Sequence, residues 1–191
     1  MVLVKRFILF FILLLILAGS GAGAEEETPK KLIINEPVLI TSAGQSFDVY
    51  LMKVVLNELG FDVDLQPLAS KEEIKNFNQI IVVPGVSFKG LAASGISFDD
   101  ELQRISGLIE AAERTSCRTT LIYIESFPHN EERTQEILEL IAPWSSQIVI
   151  YEGSEGPVDY LQETAEKGEI PVFWIGDRDN LNQEFLHIMG N

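Results

Sequence analysis

Six short runs rich in β-branched residues recur along the chain, at Val38–Ser42, Phe61–Leu65, Gln79–Val83, Thr119–Ile124, Gln147–Tyr151 and Pro171–Ile175, with an amphipathic stretch after each. This alternation constrains the fold more than any other feature. Most of the runs are continuously apolar, as strands must be when helices cover both faces of a parallel sheet. Only Phe61-Asp-Val-Asp-Leu65 alternates, which marks a half-exposed edge strand.

The intervening stretches carry their own start and stop signals. Ser46 is placed to cap a helix with Leu51, Val54, Val55 and Leu59 on one face and Gly60 as its stop. Ser70-Lys-Glu-Glu73 reads as a capping box opening a short helix that ends near Phe77. Ser97 precedes the strongest helical period of the chain, Leu102, Ile105, Leu108, Ile109 and Ala112. Asn130 precedes Ile137, Leu138 and Ile141, Pro157 and Gly168 bracket a further helix, and Leu181 to Met189 follows Asp177 or Asp179 as cap.

Strand and helix thus alternate throughout. The expected fold is α/β, a three-layer, doubly wound, Rossmann-like or flavodoxin-like sandwich. Its mostly parallel sheet has five to six strands in the order 2-1-3-4-5, with the sixth at the far edge. It occupies residues 37–191 as a single domain, preceded by a charged tether over residues 25–36.

Residues 1–24 read differently. Lys5-Arg6, a 12-residue apolar run from Phe7 to Ala18 and the small residues Ala22-Gly23-Ala24 make a cleavable secretory signal, which implies an extracytoplasmic destination, secreted or periplasmic. The run is shorter than the roughly 20 residues of a spanning helix, and if left uncleaved it is the only membrane contact expected. With 14 Lys and Arg against 29 Asp and Glu, the formal net charge is −15. A chain this acidic, with no basic stripe, excludes nucleic acid and anionic lipid surfaces as partners. Cys117 is the only cysteine, so no intrachain disulfide can form, and its place between a helix pattern and an apolar run makes it a packing residue.

In doubly wound sheets ligands gather beyond the carboxyl ends of the strands where the chain order reverses, between strands 1 and 3. Two segments meet there. Thr41-Ser-Ala-Gly-Gln-Ser46 runs into a helix N-terminus, which favours an anion, and Gly85–Gly95 reads as a long small-residue loop holding Lys89. The expected ligand set is Ser42, Gly44, Gln45 and Ser46 from the first, with Ser87, Lys89 and Gly90 opposite, for a small polar or anionic ligand. Neither segment matches the P-loop or the dinucleotide fingerprint, and no cofactor is expected.

Glu125, Glu152 and Asp177 fall at the same edge, with His129 in the loop before Asn130. Converging carboxylates can hold a hard cation, and an acid/base pair with His129 can serve hydrolysis. Solvated carboxylates and helix caps account for them more simply. A Ser42 or Ser87 triad with His129 and Glu152 lacks the G-x-S-x-G elbow, and His187 reads as a packing or surface residue. Trp144 and Trp174 read as cap packing and core. The alternatives to ligand binding are a hydrolase or transferase at this edge, with His129 or Glu125 as acid/base, and a protein partner of an envelope or transport complex.

Pro37-Val-Leu-Ile-Thr-Ser-Ala-Gly-Gln-Ser46 and Val83-Pro-Gly-Val-Ser-Phe-Lys-Gly-Leu-Ala-Ala-Ser-Gly-Ile96 resemble a bacterial family of small exported proteins known only as a domain of unknown function. The resemblance spans roughly residues 37–176 and centres on the two segments chosen above on physical grounds. It implies the same exported α/β domain and lends no activity. Pro84, Val86 and Phe88 are bulkier than the family's glycine-rich second loop, and Phe47 stands where the family often has proline.

Overall fold

The computed structural model describes residues 30–125 and 130–190. The signal segment expected over residues 1–24, residues 25–29 of the tether and His129 lie outside the described residues. Among the described residues no helix is long and apolar enough to cross a membrane.

Six strands form one parallel sheet: β1 (Val38–Ala43), β2 (Val63–Leu65), β3 (Gln79–Pro84), β4 (Arg118–Tyr123), β5 (Gln147–Tyr151) and β6 (Val172–Ile175). Their order is 2-1-3-4-5-6, as the alternation of runs and helices requires, and β2, the one run with an alternating pattern, is the short edge strand. The helices are α1 (Asp48–Glu58), α2 (Phe88–Ser94), α3 (Phe98–Thr115), α4 (Glu131–Ile141), α5 (Val158–Gly168) and α6 (Leu181–Met189).

The sheet separates two cores, because successive strand residues point to opposite faces. Leu39, Ile80, Val82, Leu121 and Ile148 pack under α3, α4 and α5, through Ile105, Leu108, Ile137, Leu138 and Leu161. Val38, Ile40, Ile81, Val83, Ile122 and Val149 pack under α1 and α6, through Val49, Met52, Leu56, Leu181 and Phe185. Both faces of every central strand are therefore dry, which is why the runs show so little alternation.

Four details differ from the sequence expectation. The segment Gly85–Gly95 is not one long loop, because Phe88–Ser94 is helical. Ser87 accepts the Gly90 amide as N-cap, and Gly95 closes the helix in the left-handed conformation. Second, α1 buries Val49, Met52, Val55 and Leu56, whereas Leu51 and Val54 face outward. The helix is apolar on both sides, so its period could not choose the inner face. Third, the helix opened by Ser70 and Glu73 shrinks to one 3-10 turn, Ile74–Asn76, although the Ser70 amide does donate to Glu73 Oε2 at 2.8 Å. Fourth, the end of the expected tether is docked: Leu32 is buried, and the side chains of Gln79 and Gln147 bond the backbone of Ile33 and Asn35.

Cys117 is buried at the end of α3, and burial pushes its thiol up to about 11. At pH 8 that leaves about 100-fold less thiolate than an ordinary cysteine has. A disulfide reagent is expected to label Cys117 at least about 100-fold more slowly in the native protein than in denaturant. Labelling at comparable rates would show an accessible, reactive thiol.

Candidate functional site

β1 and β3 are neighbours, but β1 feeds α1 on one face of the sheet whereas β3 feeds α2 on the other. A crevice opens between their carboxyl ends. Its two walls are clasped together. The Gly85 amide donates to Ala43 O at 2.9 Å, the Ser87 amide to Gly44 O at 2.8 Å, and Gln45 pairs with Val86 in an isolated antiparallel bridge. The clasp requires glycines. Gly44 has φ +96°, and a Cβ there would stand 2.6 Å from Gly85 O; a Cβ on Gly90 would collide with the carbonyl oxygen of Gln45.

Beneath the clasp lies a charged group that sequence reasoning missed. Glu101, fully buried on α3, accepts the Gly44 amide at 2.7 Å and Gln45 Nε2 at 3.2 Å, both on Oε1. Arg104, one turn on, donates to both carboxylate oxygens of Glu101 and also to Ser42 O and Ala69 O. Thus a bidentate ion pair anchors the end of β1. The signal was present: Glu101 lies four residues before Ile105 and seven before Leu108, a carboxylate on the apolar face of the most regular helix.

Above the clasp is a cavity of about 530 Å³ lined by Ser46, Asp48, Ser87, Lys89, Glu125, Asn130 and Arg178, with Phe47, Val86 and Phe88 as apolar wall. Of the seven residues expected to bind ligand, Ser46, Ser87 and Lys89 line it. Ser42, Gly44, Gln45 and Gly90 do not. Ser42 is buried and donates to Ser46 O at 3.4 Å. The Gly44 amide is taken by Glu101, and the Gln45 side-chain amide is held by Pro67 O, Glu101 and the Ser94 hydroxyl. Gly90 is packed on Gln45. These four build the site from below.

Asp48 and Arg178 form an ion pair at 2.5 Å across the cavity wall, though they are far apart in sequence. The contact arises because α6 lies beside α1 on the same face of the sheet. Burial pushes the Asp48 carboxyl above its ordinary value, and the Arg178 guanidinium and the Ser46 hydroxyl only partly offset it. The same cavity is lined by Lys89 and by the largely buried carboxylate of Glu125.

The hydroxyls are directional. Ser46 Oγ accepts from the Asp48 amide at 3.2 Å, and Ser87 Oγ from the Gly90 amide at 3.1 Å. The Ser87 proton is left available as a donor, whereas the Ser46 hydroxyl gives its proton to the Asp48 carboxylate. The remaining edge residues stay apart: Glu152 and Asp177 do not line the cavity, and among the described residues no three His, Cys, Asp or Glu gather in a metal-ligating group. Asp177 instead caps the turn before α6 by accepting from the Asp179 amide at 2.9 Å.

Several solved structures are similar to this chain. A GDSL-like lipase from Bacteroides thetaiotaomicron is 13% identical, over 73% of this chain and 71% of its own, with a TM-score of 0.35. An esterase, EstA, from Pseudoalteromonas sp. is 9% identical over 80% and 91%, with a TM-score of 0.31. AlinE4, a SGNH-hydrolase family esterase, is 15% identical over 84% and 82%, again at 0.31. No curated protein matches the chain. A family model does, over residues 35–188, from the chain's docked N-terminal segment to the last helix: the protein belongs to the family of the domain of unknown function DUF6305.

Proposed function

We propose that the protein is a binding domain for a small polar or anionic ligand, held in the cavity beyond β1 and β3. One observation carries this reading. Two segments, one after each strand, wall one cavity, and the second brings two hydrogen-bond donors to it, the Ser87 hydroxyl and the Lys89 ammonium, opposite Ser46 on the first. Among the described residues Lys89 makes no ion pair. Donors converging in a cavity of several hundred Å³ suit a ligand rich in acceptor oxygens, such as a carboxylate or phosphate. The site also has rigidity, since the clasp and the Glu101–Arg104 pair hold both walls from below.

Native mass spectrometry of the gently purified chain, compared with its denatured mass, tests the reading. An added mass lost on denaturation is the expected result. Lys89→Ala combined with Ser87→Ala is then expected to weaken binding of that species by about 100-fold, because each charged or charge-assisted hydrogen bond contributes roughly 1.5–3 kcal/mol. Undiminished affinity in the double variant would remove the assignment. Conversion of the ligand rather than its retention would move the reading to a hydrolase or transferase using the same edge.

A further inference from the structure

The cavity mouth is built from two Ser-Phe pairs, Ser46-Phe47 and Ser87-Phe88, one from each segment. In each pair the serine stands in the lining, and the phenyl ring that follows it is left in water. Phe47 is 72% exposed and Phe88 51%, among the most exposed large apolar residues described. Isolated exposed apolar side chains are ordinary; a connected set of them at a cavity mouth marks a binding surface.

The set is connected. From Phe47 the exposed residues Tyr50, Leu51 and Val54 follow at helical spacing along the outer face of α1, and the Phe47 and Tyr50 rings stand 6.2 Å apart. Leu51 and Val54 line a second, smaller groove against the start of α6, and Arg178 belongs to both that groove and the cavity. A continuous track therefore runs from the cavity with its Phe47 and Phe88 wall, past Arg178 and onto Leu51 and Val54. Its length along α1, from residue 47 to 54, is about 10 Å.

We infer that the ligand is a single amphiphilic anion, with its acceptor oxygens on Ser87 and Lys89 and a medium-length apolar chain against Phe47 and Phe88 and along α1. The inference rests on the binding reading above and specifies its ligand class. A single amphiphile fits better than an anionic lipid surface, since the net charge of −15 opposes approach to one. It fits better than a protein partner because the apolar track enters the cavity rather than forming a flat patch. Phe47 and Phe88 are then the specificity-determining residues: they select for the chain, and Ser87 and Lys89 for the head.

Calorimetric titration of the purified chain with acetate, butyrate, hexanoate and octanoate, and with octylamine as a control of opposite charge, tests this. Affinity is expected to rise from butyrate to octanoate by up to about fourfold per methylene, with octylamine at least tenfold weaker than octanoate. Phe47→Ser with Phe88→Ser should flatten the length dependence, bringing octanoate down toward the affinity of butyrate. Binding of acetate with no gain from a longer chain overturns this inference and leaves the binding reading standing. Equal binding of octanoate and octylamine overturns both, because the donors then select nothing. Sedimentation supplies a further check: a dimer that Val54→Glu dissolves would assign the apolar face to a second copy of the chain and overturn the inference.

Discussion

Glu101→Ala is expected to destabilise the protein by about 3–5 kcal/mol, read as a fall of roughly 10 °C in the midpoint of thermal unfolding followed by circular dichroism. The size follows from what the change leaves behind. Arg104 is 12% exposed at its side chain and faces Glu101 through two nitrogens, so the truncation strands a nearly buried guanidinium. It also strands the Gly44 amide and removes one of the two acceptors of Gln45 Nε2, leaving Pro67 O. A buried charge and a buried donor without partners each carry most of their desolvation cost, unlike a pair removed as a whole. Glu101→Gln separates the two contributions. It keeps an acceptor for the Gly44 amide but no charge for Arg104, and an intermediate loss of about 2 kcal/mol is expected. If Glu101→Ala unfolds within about 1 kcal/mol of the unchanged protein, the ion pair is not what anchors the end of β1.

That network also shows what the sequence could and could not disclose. The sheet, its order and most strand limits were legible because they depend on local properties: β-branched runs, caps such as Ser97 with Asp100, and stops such as Gly60. The edge carrying the site was legible because the strand order dictates where a crevice opens. Which residues line the crevice was not. Ser42, Gly44, Gln45 and Gly90 have the small, polar character of ligand-binding residues, yet the same character serves a tight backbone clasp, and only spatial neighbours decide between the two uses. Arg178 reaches the cavity through the packing of α6 on α1, a contact between the two ends of the domain that no local pattern encodes. The second segment reads as a loop for a local reason. Ser87, Ala92, Ala93 and Gly95 supply a cap, good helix formers and a stop within nine residues, but a helix of two turns is too short to show a period.

Gly44→Ala is expected to be the most damaging single-methyl change at the site, at about 2–6 kcal/mol. Two effects add. An L-residue at φ +96° carries backbone strain of order 1–3 kcal/mol. The new methyl would also stand 2.6 Å from Gly85 O and 2.9 Å from both Gly85 C and Val86 Cγ2, and the first two are backbone atoms that cannot rotate away. Overpacking against such neighbours typically costs a further 1–3 kcal/mol. Gly95→Ala separates the effects, because Gly95 also has a positive φ, +71°, but a methyl there would meet nothing within 4 Å. Urea unfolding of the two variants should therefore place Gly95→Ala near 1 kcal/mol and Gly44→Ala well beyond it. The methyl at residue 44 pushes directly on the wall that carries Ser87 and Lys89. Ligand affinity, measured where each variant is still fully folded, should accordingly fall in Gly44→Ala and stay unchanged in Gly95→Ala. Equal losses of stability would mean that the two walls can separate at little cost, and the clasp between β1 and β3 would no longer account for the shape of the cavity.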